Sequence, residues 1–262
     1  MPSVGGELLT TLRREMLPVI IPVSKALSSI HMPYSRKLIT GPDYYQMREL
    51  VRPGDAVLTS SRGELSSLFI PGEWDHGALA AGGIGDHPEN LIEATTKGVE
   101  DPDLVSFMFN KDYMIVLRPK FLTPEQGIAS VRWARRQVGL PYDWAFQYST
   151  SNNRAFYCFE LIAASWQGAL GPGVVSPFQP RMRLGVPTFT GDDFVKAAKL
   201  FEVIWFNGPT MTSGRRLMIE DRSDGEDIIS RWDAGRVGVP DLLGRVRTGI
   251  QMPSLQPPAD CT

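Results

Sequence analysis

The chain contains residue types that can supply a nucleophile and its base. It has two cysteines, and the internal one, Cys158, follows a loop at the start of a predicted helix over residues 157–166. A thiol attacks a carbonyl carbon as its thiolate, and a helix N-terminus stabilises that anion. The backbone N–H of Cys158 could also bind an oxyanion. Cys158 is therefore the candidate nucleophile, whereas Cys261 lies in a proline-rich tail and is not expected to form a disulfide with it.

The base must come from one of three histidines. His31 lies in the N-terminal part of the chain, and His87 lies beside a proline in a predicted loop. His76 begins a predicted strand, which is a rigid platform for an imidazole. Glu93 lies on the next predicted strand, in a hairpin with the His76 strand, and its carboxylate could orient the imidazole. These positions predict a site formed by Cys158, His76 and Glu93.

Each of these residues also has an ordinary structural explanation. A free cysteine is often buried and inert, and a histidine is often partly buried without a chemical role. Glu93 could be a solvated strand residue. No two histidines stand at metal-ligand spacing and no cysteine pair is present, so we expect no metal site and no cofactor.

The elements that would position the site are short. Hydrophobic patterning and turn residues predict strands at residues 56–59, 76–81, 90–95, 113–118 and 203–206. They predict helices at residues 123–139, from residue 158 onward, and at 190–200. Thr123, Pro124 and Gln126 form a capping-box signature at the start of the first helix. Strands and helices do not alternate as in a doubly wound fold, so we expect an α+β fold with a short antiparallel sheet packed against helices that are segregated to one side of it.

Composition and patterning divide the chain into three parts. With 262 residues, 42% hydrophobic and 21% charged, the chain can form one core with appendages. We assign residues 1–45 to an N-terminal helical extension, 46–206 to the domain, and 207–262 to a polar tail. The two terminal arms are candidates for binding other protein chains.

Charge and hydropathy exclude some function classes. The net charge is -2, and no basic excess indicates nucleic-acid binding. No apolar run is long enough to span a membrane, and no clear signal peptide is present. We therefore expect a cytoplasmic protein or one carried in a phage particle. Membrane contact through the N-terminal apolar segment is possible but not favoured.

Several short motifs resemble the circularly permuted branch of the NlpC/P60 superfamily. They occur in the order Gly54-Asp55, His76-Gly77, Ile92-Glu93-Ala94, Val116-Leu117-Arg118-Pro119, Gly139-x-Pro141-Tyr142-Asp143 and Tyr157-Cys158-Phe159-Glu160-Leu161. YiiX-like proteins belong to that branch, and the lecithin:retinol acyltransferase group is related to it. The resemblance covers residues 50–206 and implies a permuted papain-like fold. It also implies that Cys158 is the nucleophile, His76 the base, and Glu93 the residue that orients His76.

The candidate substrate-binding residues are neighbours of the nucleophile and base. Tyr142 matches a tyrosine found near the nucleophile in the superfamily, although it could equally be a core aromatic residue with a bonded hydroxyl. Phe159 stands where a small serine commonly follows the cysteine, so it would reshape the pocket. Tyr157 and Asp75 adjoin Cys158 and His76 in the chain. Glu160 is expected only to form a salt bridge or line the pocket.

Three functions remain open on this basis. The first is a cysteine amidase or peptidase acting on cell-wall peptides or other amides, as the resemblance implies. The second is a lipid-directed acyltransferase or phospholipase, because relatives in the permuted branch use the same residues on esters. The third is a non-catalytic structural module of a larger assembly, such as a phage particle.

Overall fold

The computed structural model describes residues 39–61, 72–82, 90–109, 111–149 and 154–208, together with single positions between 11 and 23. His31, His87, Cys261 and the tail from residue 209 lie outside the described residues, as does most of the predicted N-terminal extension. Within the described residues, no helix has the length and apolar character needed to cross a membrane.

The described residues form a central antiparallel sheet and a separate hairpin. The strands are β1 (Ala56–Ser60), β2 (His76–Ala80), β3 (Leu91–Thr95), β4 (Gly98–Glu100), β5 (Tyr113–Pro119), β6 (Arg181–Arg183), β7 (Val186–Thr188) and β8 (Phe201–Phe206). Six of them pair in the order β4-β3-β2-β1-β5-β8, and every neighbouring pair is antiparallel. Strands β6 and β7 pair only with each other. All five predicted strands are present, whereas β4 and the hairpin were not predicted.

Helices cover both faces of this sheet. They are α1 (Gly41–Leu50), α2 (Leu104–Met108), α3 (Pro124–Arg135), α4 (Cys158–Leu170) and α5 (Gly191–Lys196). One face carries residues such as Leu58, Leu79 and Ile92, which share a core cluster with α3 and α4. The other face carries residues such as Val57 and Ala78, which cluster with α1 and α2. This arrangement confirms the expected α+β class, but the helices are not segregated to one side: the sheet is apolar on both faces, and each face is covered by helices.

Two predicted helices end earlier than their sequence signals indicated. Helix α3 begins with the expected capping box: Thr123 Oγ1 accepts the Gln126 N–H, and Gln126 Oε1 accepts the Thr123 N–H. It ends at Arg135, because residues 136–139 tighten into a turn before Gly139, which has φ 89. Helix α5 ends at Lys196 instead of residue 200, because the chain must reach β8 to pair with β5.

Helix α1 was not predicted, and it runs across residue 45, where we divided the extension from the domain. Thr40 and Asp43 form its capping box, and Met47 is buried against the sheet. The three-part division of the chain stays a prediction, but the last turns of α1 belong to the packed body.

Candidate active site

Cys158 is the first residue of α4. Tyr157 precedes it in an extended conformation with φ -95 and ψ 167, and its side chain does not cap the helix. The Tyr157 hydroxyl instead accepts the N–H of Phe189 at 2.8 Å, which anchors the chain just before the helix. The first N–H groups of a helix have no acceptor within it. The uncapped start of this 13-residue helix therefore offers N–H donors and a partial positive charge beside the Cys158 thiol.

Gly77 allows α4 to pack closely against β2, next to His76. A Cβ at this glycine would lie 2.9 Å from Leu58 Cδ2, 3.1 Å from Ile162 Cδ1 and 3.2 Å from Phe159 Cε1. A larger residue would force these buried side chains to repack between the strand and the helix. Gly77 thus makes room for the Ile162 and Phe159 side chains of α4 against the backbone that carries His76.

Glu93 lies beside His76 because of the register of the β2–β3 pair. Ala78 is opposite Glu93, so His76 is the diagonal neighbour of Glu93 on the same face of the sheet. His76 Nε2 and Glu93 Oε2 are 2.5 Å apart, and the two side chains are 19% and 12% exposed. The contact expected from the hairpin is therefore present. Because Glu93 engages Nε2, the other ring nitrogen, Nδ1, remains for the thiol.

His76 is also hydrogen-bonded to Cys158, and its two acidic partners favour the charged imidazolium. Burial alone would lower the pKa of His76. The hydrogen bonds and negative charges of Cys158 and Glu93 outweigh burial and raise this pKa to about 10. The His76 charge in turn lowers the pKa of Glu93, against the effect of its burial. The three side chains therefore form one hydrogen-bonded row with the imidazole in the middle.

Phe107 covers the His76 ring from α2. The two ring centroids are 5.8 Å apart and the ring planes are inclined by 37°. Phe107 is buried in the second core cluster, so its position is fixed by packing. A cation within about 6 Å of an aromatic centroid is stabilised by the ring. Sequence reasoning missed this residue, although Asp103, which accepts the N–H of Ser106, is a cap signal that could have revealed α2.

Tyr142 lies beside the start of α4. Its strand-like contact with Phe156 and the Asp143 N–H to Phe156 carbonyl bond of 3.0 Å bring this segment next to Cys158. Burial, followed by the charge of Cys158, raises the pKa of Tyr142 well above its usual value. The phenol therefore stays protonated and can donate a hydrogen bond near the thiol. Its ring packs against Trp144 at a centroid distance of 5.0 Å.

The other three predicted substrate-binding residues have packing contacts. Tyr157 and Phe159 are only 1% and 2% exposed, and Phe159 faces Gly77 and Phe194. Asp75 is buried, and its Oδ2 accepts the N–H of Ser61 at 2.8 Å, which ties the start of β2 to the end of β1. A role for these residues in substrate binding stays a prediction.

A family model matches residues 50–194, which is more than half of the chain. Its description is permuted papain-like amidase enzyme, YaeF/YiiX, C92 family. The chain belongs to this family. Membership in the C92 family makes the fold permuted and papain-like, and makes the protein a cysteine amidase or peptidase in kind. No curated protein and no solved structure matches the chain.

The C92 match confirms the resemblance to YiiX-like proteins. The wider relationship to the NlpC/P60 superfamily and to the lecithin:retinol acyltransferase group rests on sequence resemblance alone. The matched segment contains Cys158, His76, Glu93 and Tyr142.

Proposed function

We propose that this C92-family protein hydrolyses amide bonds through an acyl-enzyme on Cys158, with His76 as acid and base and Glu93 as its orienting partner. One observation carries the proposal: the hydrogen-bonded row in which His76 contacts Glu93 on one side and Cys158 on the other. A buried cysteine kept only for packing would not need a histidine held in this way. A nucleophile, a base and a group that orients the base are the parts of a hydrolytic triad.

The pKa of His76 is about 10, so the imidazole is charged at neutral pH and can stabilise a thiolate at Cys158 when it forms. The thiolate attacks the substrate carbonyl carbon and forms a C–S bond. The backbone N–H of Cys158 and the Tyr142 hydroxyl are the donors we assign to the resulting oxyanion. As the C–N bond breaks, His76 gives its proton to the leaving amine.

The second half of the reaction returns the site to its starting state. Neutral His76 takes a proton from a water molecule, and the hydroxide attacks the acyl carbon. The C–S bond breaks, the carboxylic acid leaves, and the thiolate is again paired with the imidazolium. His76 therefore acts first as an acid and then as a base, with Glu93 hydrogen-bonded to Nε2 throughout. We propose peptides, including cell-wall peptides, as the first substrate class to test.

A second candidate is a lipid acyl ester, favoured by the surface of α2. Val105 and Phe109 are 56% and 72% exposed, and they flank Phe107, which packs on His76. Such a surface could contact an acyl chain. If the protein were instead a non-catalytic module, the Cys158 thiol would not need to be accessible to a peptide or a lipid acyl donor.

Intact-mass analysis with two acyl donors separates these candidates. The protein is incubated with an activated peptide ester and, separately, with an activated lipid ester of equal leaving group. We expect the peptide acyl group on Cys158 and little lipid adduct. The matched controls are Cys158→Ala, which should show no adduct, and Cys261→Ser, which should keep it. Labelling by the lipid alone would favour the second candidate, and labelling of Cys158 by neither would contradict the enzymatic proposal.

A further inference from the structure

A buried carboxyl group that the proposed mechanism does not use lies two residues after the nucleophile. Glu160 is the third residue of α4, and it is 1% exposed. Its Oε1 accepts the N–H of Ser149 at 3.2 Å. Its Oε2 has no hydrogen-bond partner among the described residues. A fully buried carboxylate without a cation is costly, so this arrangement suits an uncharged acid.

The groups around Glu160 also disfavour its negative charge. Burial, followed by the charge of Asp143, raises the pKa of Glu160 to about 8, and the bonds from the Ser149 and Tyr157 backbone only partly oppose this. The other titratable groups that sense Glu160 are Tyr142 and Tyr148 on the same segment as Asp143, and Tyr157 at the start of α4. None of the described groups that shift the pKa of Glu160 is a cation.

Ser149 ends a segment, residues 142–149, that we call the aromatic loop. Asp143 folds this loop by accepting the N–H groups of Ala145 at 2.8 Å and Gln147 at 3.1 Å. On its far side, the loop is bonded to the β6–β7 hairpin through the Tyr148 N–H to Pro187 carbonyl contact of 2.8 Å. The bond from Ser149 to Glu160 attaches the end of the loop to α4.

The aromatic loop is under backbone strain and carries a residue of the proposed site. Phe146 has φ 50, a left-handed conformation that costs a non-glycine residue on the order of 1 kcal/mol. Its ring lies between Tyr142, at a centroid distance of 5.9 Å, and Tyr157, at 5.5 Å. A strained loop persists only where its surroundings hold it. A change at its attachment to α4 would therefore disturb the packing of Phe146 on the Tyr142 ring beside Cys158.

We propose that Glu160 is a positioning residue that works as an uncharged carboxylic acid, pinning the aromatic loop and Tyr142 against the start of α4. The inference rests on the proposed function of Cys158 as nucleophile. When Glu160 loses its proton, a buried anion forms within range of the Asp143 charge, and water must reach it. The loop then moves away from α4, so the site binds a peptide substrate less tightly, while the Cys158 thiol remains reactive.

Two electrophiles distinguish loop position from thiol reactivity. A peptidyl electrophile must bind in the site, whereas the alkylation of Cys158 by iodoacetamide, followed at that residue by mass analysis, depends only on the reactivity of the thiol. In the wild type, we expect the ratio of their alkylation rates to fall about tenfold as pH rises about one unit above the pKa of Glu160. Dividing the two rates cancels the titration of His76. Glu160→Gln should keep the ratio constant with pH, and Glu160→Leu should give a low ratio at every pH.

The matched control is Glu202→Gln, which removes an exposed carboxylate on β8 and should behave like the wild type. If Glu160 had only a structural role, its replacement would change the ratio of the two alkylation rates without changing how that ratio depends on pH. The proposal is overturned if the alkaline fall persists in Glu160→Gln, or if Glu160→Leu matches the wild type. If neither electrophile reacts with Cys158, the proposed function fails instead.

Unfolding measurements test the uncharged state of Glu160 without any substrate. Its pKa is raised from 4.5 to about 8 by folding, so the folded protein holds a proton that the unfolded chain has lost between these values. Stability must therefore fall as pH rises through that window. We expect the urea midpoint of Glu160→Gln to exceed that of the wild type at about pH 9, with little or no excess at about pH 4.5. An excess that is equal at both pH values would overturn the proposal.

Discussion

Replacing Glu93 with glutamine removes the negative partner of His76 and keeps the shape of the side chain. The amide oxygen of the glutamine can still accept a hydrogen bond from Nε2, so the change isolates charge from geometry. The prediction is that the pKa of His76 falls by about 2 pH units, from about 10 to about 8.

The magnitude follows from the contacts of the imidazole. Folding raises the pKa of His76 from 6.5 to about 10, which corresponds to about 5 kcal/mol in favour of the imidazolium at 1.4 kcal/mol per pH unit. Cys158 and Glu93 share this stabilisation against the cost of burial. Both His76 and Glu93 retain some exposure, at 19% and 12%, so water screens part of their attraction. We assign about half of the total, roughly 2 to 3 kcal/mol, to Glu93.

The assay is a pH titration of the histidine ring signals by NMR. The chain has three histidines, so the His76 signal is the one absent from His76→Asn. Glu100→Gln is the matched control, because Glu100 faces Glu93 across the β3–β4 pair but hydrogen-bonds Thr95. We expect that control to shift the pKa of His76 by less than about half a unit. An unchanged titration in Glu93→Gln would refute the assignment of the His76 charge to Glu93.

The same change has a consequence for stability that depends on pH. A raised histidine pKa contributes stability that is complete below its unfolded value of 6.5 and is lost as pH rises towards about 10. The lowered pKa of Glu93 contributes stability above 4.5 that is lost as pH falls below that value. The difference in unfolding free energy between wild type and Glu93→Gln should therefore be largest between pH 4.5 and 6.5, and it should shrink as pH rises towards about 10.

Three further changes test the surroundings of the row. Phe107→Leu should lower the pKa of His76 by about half a unit to one unit in the NMR titration, because the imidazolium loses its ring contact, while Phe107→Tyr should preserve it. Gly77→Ala should reduce the free energy of unfolding by about 1 to 3 kcal/mol in urea titrations, whereas Gly41→Ala, where a Cβ meets nothing within 4 Å, should change it little. At neutral pH, iodoacetamide should alkylate Cys158 faster than Cys261, and His76→Ala should abolish that difference; equal rates in the wild type would contradict activation of Cys158 by His76.

The three central residues were predictable because local signals place them. Cys158 follows a loop at the start of an apolar helix, and His76 begins a short apolar strand. Glu93 required only that two consecutive strands form a hairpin, which neighbouring strands commonly do. The register that makes it a diagonal neighbour of His76 was not specified by the sequence pattern.

The substrate-binding residues were harder to predict, because adjacency in the chain is a poor guide on a helix. Successive side chains turn by about 100° around a helix, so the neighbours of Cys158 point in different directions. Phe159 faces Gly77 in the core, and Glu160 faces the aromatic loop. Phe107 escaped prediction for another reason. Helix α2 has only five residues, and so short a helix depends on its cap and on tertiary packing more than on sequence periodicity.

Substitutions at the close contact around Gly77 and substitutions away from it are expected to have different effects on this fold. There the main chain of the strand meets the buried ends of the Leu58, Ile162 and Phe159 side chains, so a larger residue would require these side chains to repack. The aromatic loop and the outer surface of α2, which we propose to lie beside the substrate, can change without altering this junction. Diversification or engineering of substrate preference is therefore expected to proceed through those surfaces, with the strand–helix junction kept as an invariant frame.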